Sequence, residues 1–216
     1  MPRILRIAVF MVCVAGHAAQ DSRVLLPVDE GVSQPDFFTF RARLAVAIAE
    51  RDTAAILDVL HPDIKVTFGG DHGIDDFKQW WRIEEADSKF WKEFGTVLAL
   101  GGSFDAPDMF TAPYTFSRWP RDLDSFDYVA VVGSEVRIRS LPRADAPVVT
   151  QVSYLVLQLD TESSRKDWMT EEWTAVRIDG KKAYIATRFI RSSIDYRARF
   201  QKIDGRWRLV FFLAGD

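Results

Sequence analysis

The sequence predicts an α+β protein, and three observations carry that prediction. Residues 33–60 place apolar side chains at helical spacing. Residues 128–192 lose that period and show short Val and Ile runs separated by Pro, Asp and Gly, as a small all-β unit does. Residues 193–216 read as an aromatic hairpin, with Asp204-Gly205 between two alternating runs.

The amino end carries an address. Arg3 and Arg6 are followed by nine unbroken apolar residues, Ile7 to Ala15, and then by Gly16, His17, Ala18 and Ala19. A charged start, a short apolar run and small residues make the layout of a secretory signal peptide, with cleavage expected after Ala18. The run is too short to span a bilayer. Val12 before Cys13 argues against a lipoprotein site. Loss of residues 1–18 removes Arg3 and Arg6, taking the formal charge from −3 to −5, and removes the single cysteine. The mature chain is then left without a disulfide, a thiolate nucleophile or a Cys-ligated metal. Export to the periplasm or the exterior is the expected destination, with no membrane span after cleavage.

Residues 19–32 read as a flexible leader. Ser33, Pro35 and Asp36 then make a helix start, with Ser33 as the cap. Phe37, Phe40, Leu44, Ala47 and Ile48 form its apolar stripe. Asp52 caps a second helix, Thr53 to Leu60, which Pro62 stops. Ile64, Val66 and Phe68 alternate with polar residues, so 63–68 reads as a strand with one wet face, and residues 69–73 as a turn. Phe77, Trp80, Trp81, Phe90, Trp91, Phe94, Val97 and Leu98 give one helix or two joined near Asp87, most of them core. Residues 103–127 carry no clear period. In the final hairpin Tyr196, Ala198 and Phe200 share one face, and Trp207, Leu209, Phe211 and Leu213 another. Such a hairpin must pair with a larger sheet.

Composition excludes several function classes. With 28 Lys+Arg against 31 Asp+Glu, the basic excess of a nucleic-acid binder is missing. No Gly-x-x-x-x-Gly-Lys-Ser/Thr loop, Gly-x-Gly-x-x-Gly turn, Gly-x-Ser-x-Gly elbow or His-Glu-x-x-His helix occurs. Only His61 and His72 remain after cleavage, so neither metal ligation nor a cofactor is expected. Arg191, Arg197, Arg199, Arg206 and Arg208 form a basic set, read as a solvated strand face or as a patch for an anionic wall polymer.

Residues 128–192 resemble the bacterial Src-homology-3-like domain. The carriers are Val136-Arg137-Ile138-Arg139-Ser140-Leu141-Pro142, Ala146-Pro147-Val148-Val149, Trp173 with Val176, the Asp179-Gly180 turn, Ala183-Tyr184-Ile185 and Phe189-Ile190. Leu141 stands where that family usually has Gly. The resemblance implies a small barrel, with Trp173 in its core and a binding groove bordered by the polar stretch 160–170. Trp168 at the end of that stretch, with Tyr154 and Tyr184, is the candidate ligand-binding set; Trp168 folded back as a lid is the alternative.

The flanks, residues 33–127 and 193–216, resemble the nuclear-transport-factor-2-like cone, in which a curved sheet wraps a long helix. The carriers are the two helices, the alternating strand, the Trp-rich helix and the Arg206-Trp207-Arg208-Leu209-Val210 run. On this resemblance the barrel is inserted and the hairpin completes the sheet begun by residues 63–68; the alternative has the hairpin extending the barrel. Enzymes of the cone family place Asp and His in an apolar pocket, which makes Asp71 and His72 the candidate catalytic pair, with Asp63 or Asp75 beside them. A turn-stabilising Asp71 and a solvated His72 are the alternative. The expected function is that of an exported, non-enzymatic envelope protein binding a peptide, a peptidoglycan fragment or a partner protein. A small-molecule enzyme or ligand-binding protein using the cone is the second reading.

Overall fold

The computed structural model describes residues 23–160 and 172–215. The expected signal peptide, residues 1–18, and Trp168 lie outside the described residues. Within them the protein is α+β, with three sheets, none closed into a barrel.

Helix α1 spans Pro35–Glu50, with Pro35 in its first turn, where the missing N–H costs nothing. The expected cap is displaced. A 3-10 turn over Glu30–Ser33 takes Ser33, whose hydroxyl donates to the Glu30 carbonyl at 2.7 Å, and Gln34 precedes the helix without a capping bond. Arg51, left-handed at φ 54°, ends α1. Helix α2, Thr53–Val59, is capped as expected: the Asp52 carboxylate accepts from the Ala55 N–H at 3.0 Å. Strand β1 follows at Leu60–Lys65. The aromatic stretch is two helices, α3 at Ile74–Trp81 and α4 at Phe90–Ala99. Arg82, left-handed at φ 44°, makes the break, and the buried Ser88 hydroxyl spans it, donating to the Trp81 carbonyl and accepting from the Phe90 N–H.

Strands β2 (Ser103–Ala106) and β3 (Met109–Ala112) and the single turn α5 (Tyr114–Ser117) occupy the region without a readable period. Strands β4 (Tyr128–Val131), β5 (Val136–Arg139), β6 (Val148–Val152), β7 (Val156–Gln158), β8 (Trp173–Ile178), β9 (Lys181–Ala186) and β10 (Ile190–Arg191) follow. They form two sheets, β10-β4-β7 and β6-β5-β9-β8, around one core that includes Val129, Ile138, Leu157, Val176 and Ile185. The expected barrel is not closed among the described residues: the chain bends between β6 and β7 at Tyr154, in the left-handed region at φ 53°, and the two sheets meet at the Leu159–Val176 bridge and the Asp160 N–H to Ala175 carbonyl bond without forming one continuous sheet. Trp173, expected in this core, is half-buried, and Ala175 and Val176 are buried instead.

The hairpin is β11 (Arg197–Ile203) and β12 (Arg206–Leu213), turned by Asp204 and Gly205 at φ 49° and 78°. It joins the sheet built from the flanks, in the order β1-β12-β11-β3-β2, with β1 parallel to β12 and the other pairs antiparallel. The helices cover one face of this sheet. Phe37 is the hub of that interior: its ring lies 4.4 Å from Phe110, 4.7 Å from Trp207, 5.5 Å from Phe104 and 5.7 Å from Phe200. Trp81, Phe90, Phe94 and Phe212 fill the other end. Trp80, read with this core, is instead half-exposed at 53%.

One irregularity decides which face each end of β12 presents. Arg199 pairs with Phe211 and Phe200 with Leu209, so Val210 is an extra residue in a bulge. Strict alternation predicts Phe211 on the core face with Trp207 and Leu209. The bulge reverses the parity: Phe212 enters the core, and Phe211 and Leu213 turn to the face away from the helices.

Residues 23–32, within the stretch expected as a flexible leader, form a strap across both parts. The Val156 N–H donates to the Arg23 carbonyl, the Leu25 N–H to Tyr154 and the Glu30 N–H to Gly102. The Asp29 carboxylate pairs with Arg41, and Glu30 with Arg118. Without an amphipathic period of its own, this segment is held by backbone bonds that sequence patterning does not register. Leu25 closes a third apolar cluster with Tyr114, Ala130 and Val156.

Asp36 and Tyr114 are among the side chains that give this fold a pH dependence. The Lys202 ammonium and the Trp207 indole N–H, at 2.7 and 3.1 Å, hold the Asp36 carboxyl below its usual range. A lowered carboxyl contributes stability above its unfolded pKa and loses it as pH falls through the folded one. Asp36→Asn is therefore expected to flatten the acid limb below about pH 4; because the pair is half-exposed, the effect stays under about 1 kcal/mol, read by thermal melts against pH. Tyr114 is 1% exposed, its hydroxyl has no hydrogen-bond partner among the described residues, and burial pushes its pKa up to about 12, with the neighbouring Tyr154 phenol adding to the rise. From about pH 10 upward the unfolded phenol ionises while the folded one stays neutral, so stability falls across that window. Tyr114→Phe is expected to abolish this loss, on the order of 1–2 kcal/mol, with little change at neutral pH; denaturant titrations at pH 7 and 11 check it.

Candidate functional site

The strongest constellation lies on the sheet face turned away from the helices. Its floor is β11 and β12, where Arg197, Arg199, Phe211 and Leu213 project together. Lys65 at the end of β1 reaches it because the irregular β1–β12 pairing sets Lys65 against Phe211. The turn after β1 supplies one wall through Thr67, Phe68, Gly70, Asp71 and His72, and Phe116 of α5 supplies the other. Together they bound an open concavity of about 580 Å³.

Arg197 is the most deeply placed charge, 4% exposed. Its guanidinium lies 5.2 Å from the ring centre of Phe68 and 4.7 Å from that of Phe116, and donates to the Gly215 carbonyl at 2.7 Å. Arg199 lies 5.0 Å from the Phe211 ring centre and donates to Thr111 at 3.1 Å and to the Asp105 carboxylate at 3.3 Å. The Thr111 hydroxyl donates to the same carboxylate at 2.6 Å, which fixes the orientation of the pair. Phe68, read as the third apolar position of a strand, stands 56% exposed, because β1 ends at Lys65 and the chain turns away before Phe68 reaches the core.

Asp71 and His72 sit on the rim, both exposed, and their side chains serve the turn. The Asp71 carboxylate accepts from the Thr67 hydroxyl at 2.7 Å, and His72 Nδ1 lies 2.7 Å from the Gly70 carbonyl oxygen. The His72 N–H donates to Asp76. Asp63 and Asp75 are exposed as well. The helix–sheet interior, where an acid–base pair would be desolvated, is packed with Phe, Trp and Leu side chains.

The other described candidate residues lie on different elements. Tyr154 lies at the bend before β7, beside Tyr114. Tyr184 stands half-buried on β9, with the Lys182 ammonium 5.6 Å from its ring centre. Trp168 is outside the described residues. The five arginines divide as well. Arg191 is buried against Asp195 at 3.3 Å, in a cleft between α4 and β10. Arg208 bonds the Asp58 carbonyl and sits with Arg206 at the turn end of the hairpin, opposite Gln201 and Ile203. Only Arg197 and Arg199 meet in the concavity.

Sequence reasoning found Asp71, His72, Arg197 and Arg199 separately and missed their convergence. It missed Lys65 and Phe116 as site residues altogether. Their signal is tertiary: a parallel pairing between segments far apart in the chain, and a bulge. Among the described residues no helix is long and apolar enough to cross a membrane, and no three His, Cys, Asp or Glu side chains gather as metal ligands. Comparison with family models, curated proteins and solved structures finds no match for this chain.

Proposed function

We propose that the chain is an exported, non-enzymatic envelope protein that binds a peptide, a cell-wall fragment or a partner protein. On this reading residues 33–127 and 193–216 make a cone of the nuclear-transport-factor-2-like kind, and residues 128–192 make an inserted Src-homology-3-like unit. The placement of the hairpin between β1 and β3, with separate strands from residues 128–191 forming their own core, supports that division.

The observation that carries the non-catalytic reading is the filled interior. Phe37, Phe90, Phe94, Phe110, Phe200 and Phe212 are each fully buried there, so aromatic rings fill the space between helices and sheet where a substrate and a general base would have to sit. The concavity on the outer face of the sheet is open, with charged groups on paired strands, as a recognition surface has. The test is titration of the mature chain with soluble peptidoglycan fragments, and a pull-down from envelope extract followed by titration with each purified candidate. Saturable binding to a fragment or to one purified protein is the expected result. Absence of saturable binding in both arms overturns the reading.

A further inference from the structure

We infer that the solvent face of α1 binds a second copy of this chain, helix against helix and antiparallel, about a two-fold axis passing beside Val46.

The face is apolar where a surface helix is usually polar. Phe37, Leu44 and Ala47 turn one side of α1 onto the sheet and are buried. The opposite side of such a helix normally carries charged and polar residues. Here Phe38, Ala42, Ala45, Val46 and Ala49 recur on it at three- and four-residue spacing, all exposed. Phe38 is 49% and Val46 56% accessible. Helix propensity accounts for the alanines but not for these two, since an aromatic ring and a β-branched side chain are poorer helix formers than Lys or Glu. On the α4 side the apolar surface continues into a groove of about 340 Å³, between Ala42 and Ala45 of α1 and Gly95 and Ala99 of α4. A continuous apolar strip of this kind marks an interaction surface, as scattered single residues do not.

The charges beside the strip select its occupant. Helix α1 carries four charged side chains. Asp36 is paired with Lys202, and Arg41 with Asp29. Arg43 and Glu50 are exposed and make no ion pair among the described residues. They lie on the flank of the strip away from α4, two turns apart, with Val46 between them. At 1.5 Å per residue their separation along the axis is about 10 Å. A two-fold axis beside Val46 reverses the helix direction and keeps the flanks matched. It therefore sets Arg43 against Glu50 of the partner subunit and Glu50 against Arg43 of the partner subunit. A parallel pair would turn each charged flank toward the other copy's groove and leave both charges unpaired. An unrelated helix would have to carry the same two charges in reverse order. The face thus complements its own reversed copy, as an isologous contact requires. Flanking charges set orientation and partner choice in paired helices in this way.

The contact is small. A strip one helix wide and at most about 24 Å long is less than the roughly 800 Å² per partner of a stable complex, so the dimer is reversible.

The test is sedimentation equilibrium of the mature chain from about 1 to about 300 μM, a range that brackets a micromolar dissociation constant. The mass is expected to rise with concentration toward that of a dimer. Arg43→Glu and Glu50→Arg each set like charges together twice, and each alone is expected to weaken the dimer by about tenfold or more. An equimolar mixture of the two variants restores both opposite-charge pairs and is expected to associate within about threefold of the unchanged chain. Val46→Glu is expected to abolish association. All three positions are exposed, so the melting curves of the variants are expected to match that of the unchanged chain. A chain that stays monomeric throughout, a dimer indifferent to both charge reversals, or a mixture that associates no better than either variant alone overturns the inference. Recovery in the mixture is the result that only an antiparallel second copy explains.

Discussion

Replacing Phe37 with alanine is expected to destabilise the protein by about 3–5 kcal/mol, the largest loss from truncating one side chain here. Phe37 is fully buried near the start of α1 and touches rings from α1, β2, β3, β11 and β12. Those contacts join the first helix to four strands, so the void cannot be closed by the shift of one neighbour. Large-to-small changes cost most where the surroundings cannot collapse. Exposed Phe38, beside it in sequence and 49% accessible, provides the control: Phe38→Ala is expected to change stability by less than about 0.5 kcal/mol. Chemical denaturation of both variants checks the pair. A Phe37→Ala loss as small as that of Phe38→Ala would mean that α1 does not close the sheet.

Leu209→Asp is expected to cost about 4 kcal/mol or more and to remove cooperative unfolding of the helix–sheet layer. Leu209 is fully buried in β12, between Leu60 of β1 and Phe200 of β11. Its surroundings there are apolar, so an aspartate would be either an unpaired charge or a protonated acid without acceptors. Arg208→Asp, one residue away on the opposite face, meets solvent and is expected to cost far less. Circular dichroism melts separate the two. The difference between neighbours tests the alternation of β12 before its bulge.

Where the chain's own period suffices, the sequence reads well. The stripe Phe37, Leu44, Ala47 is the buried face of α1, and Asp204-Gly205 makes the hairpin turn. Asp52 caps α2 because the local chemistry of a carboxylate at a helix start needs no tertiary partner. The failures have physical causes of three kinds. Competing local bonds displaced the Ser33 cap into a 3-10 turn. Short pieces such as β2, β3 and α5 hold too few residues to show a period. A single inserted residue, Val210, inverted the faces of Phe211 and Phe212. Parity is lost at one bulge, and no local pattern announces it.

The site was less legible than the fold for the same reason. Arg197 and Arg199 have the alternation of any solvated strand face, and Lys65 looks like the wet side of β1. What makes them a site is the register that carries β1 alongside β12, with Leu60 against Leu209 and Lys65 against Phe211. The strap of residues 23–32 was invisible because backbone hydrogen bonds to Gly102 and Tyr154 depend on no side-chain pattern.

The fold and its filled interior both depend on β12 lying between β1 and β11. Nuclear Overhauser contacts between backbone protons of β1 and β12 measure that pairing directly. The account predicts contacts linking Leu60 to Leu209 and Lys65 to Phe211, in parallel register. Contacts from the hairpin to strands of residues 128–192 alone, with none to residues 60–65, would contradict it.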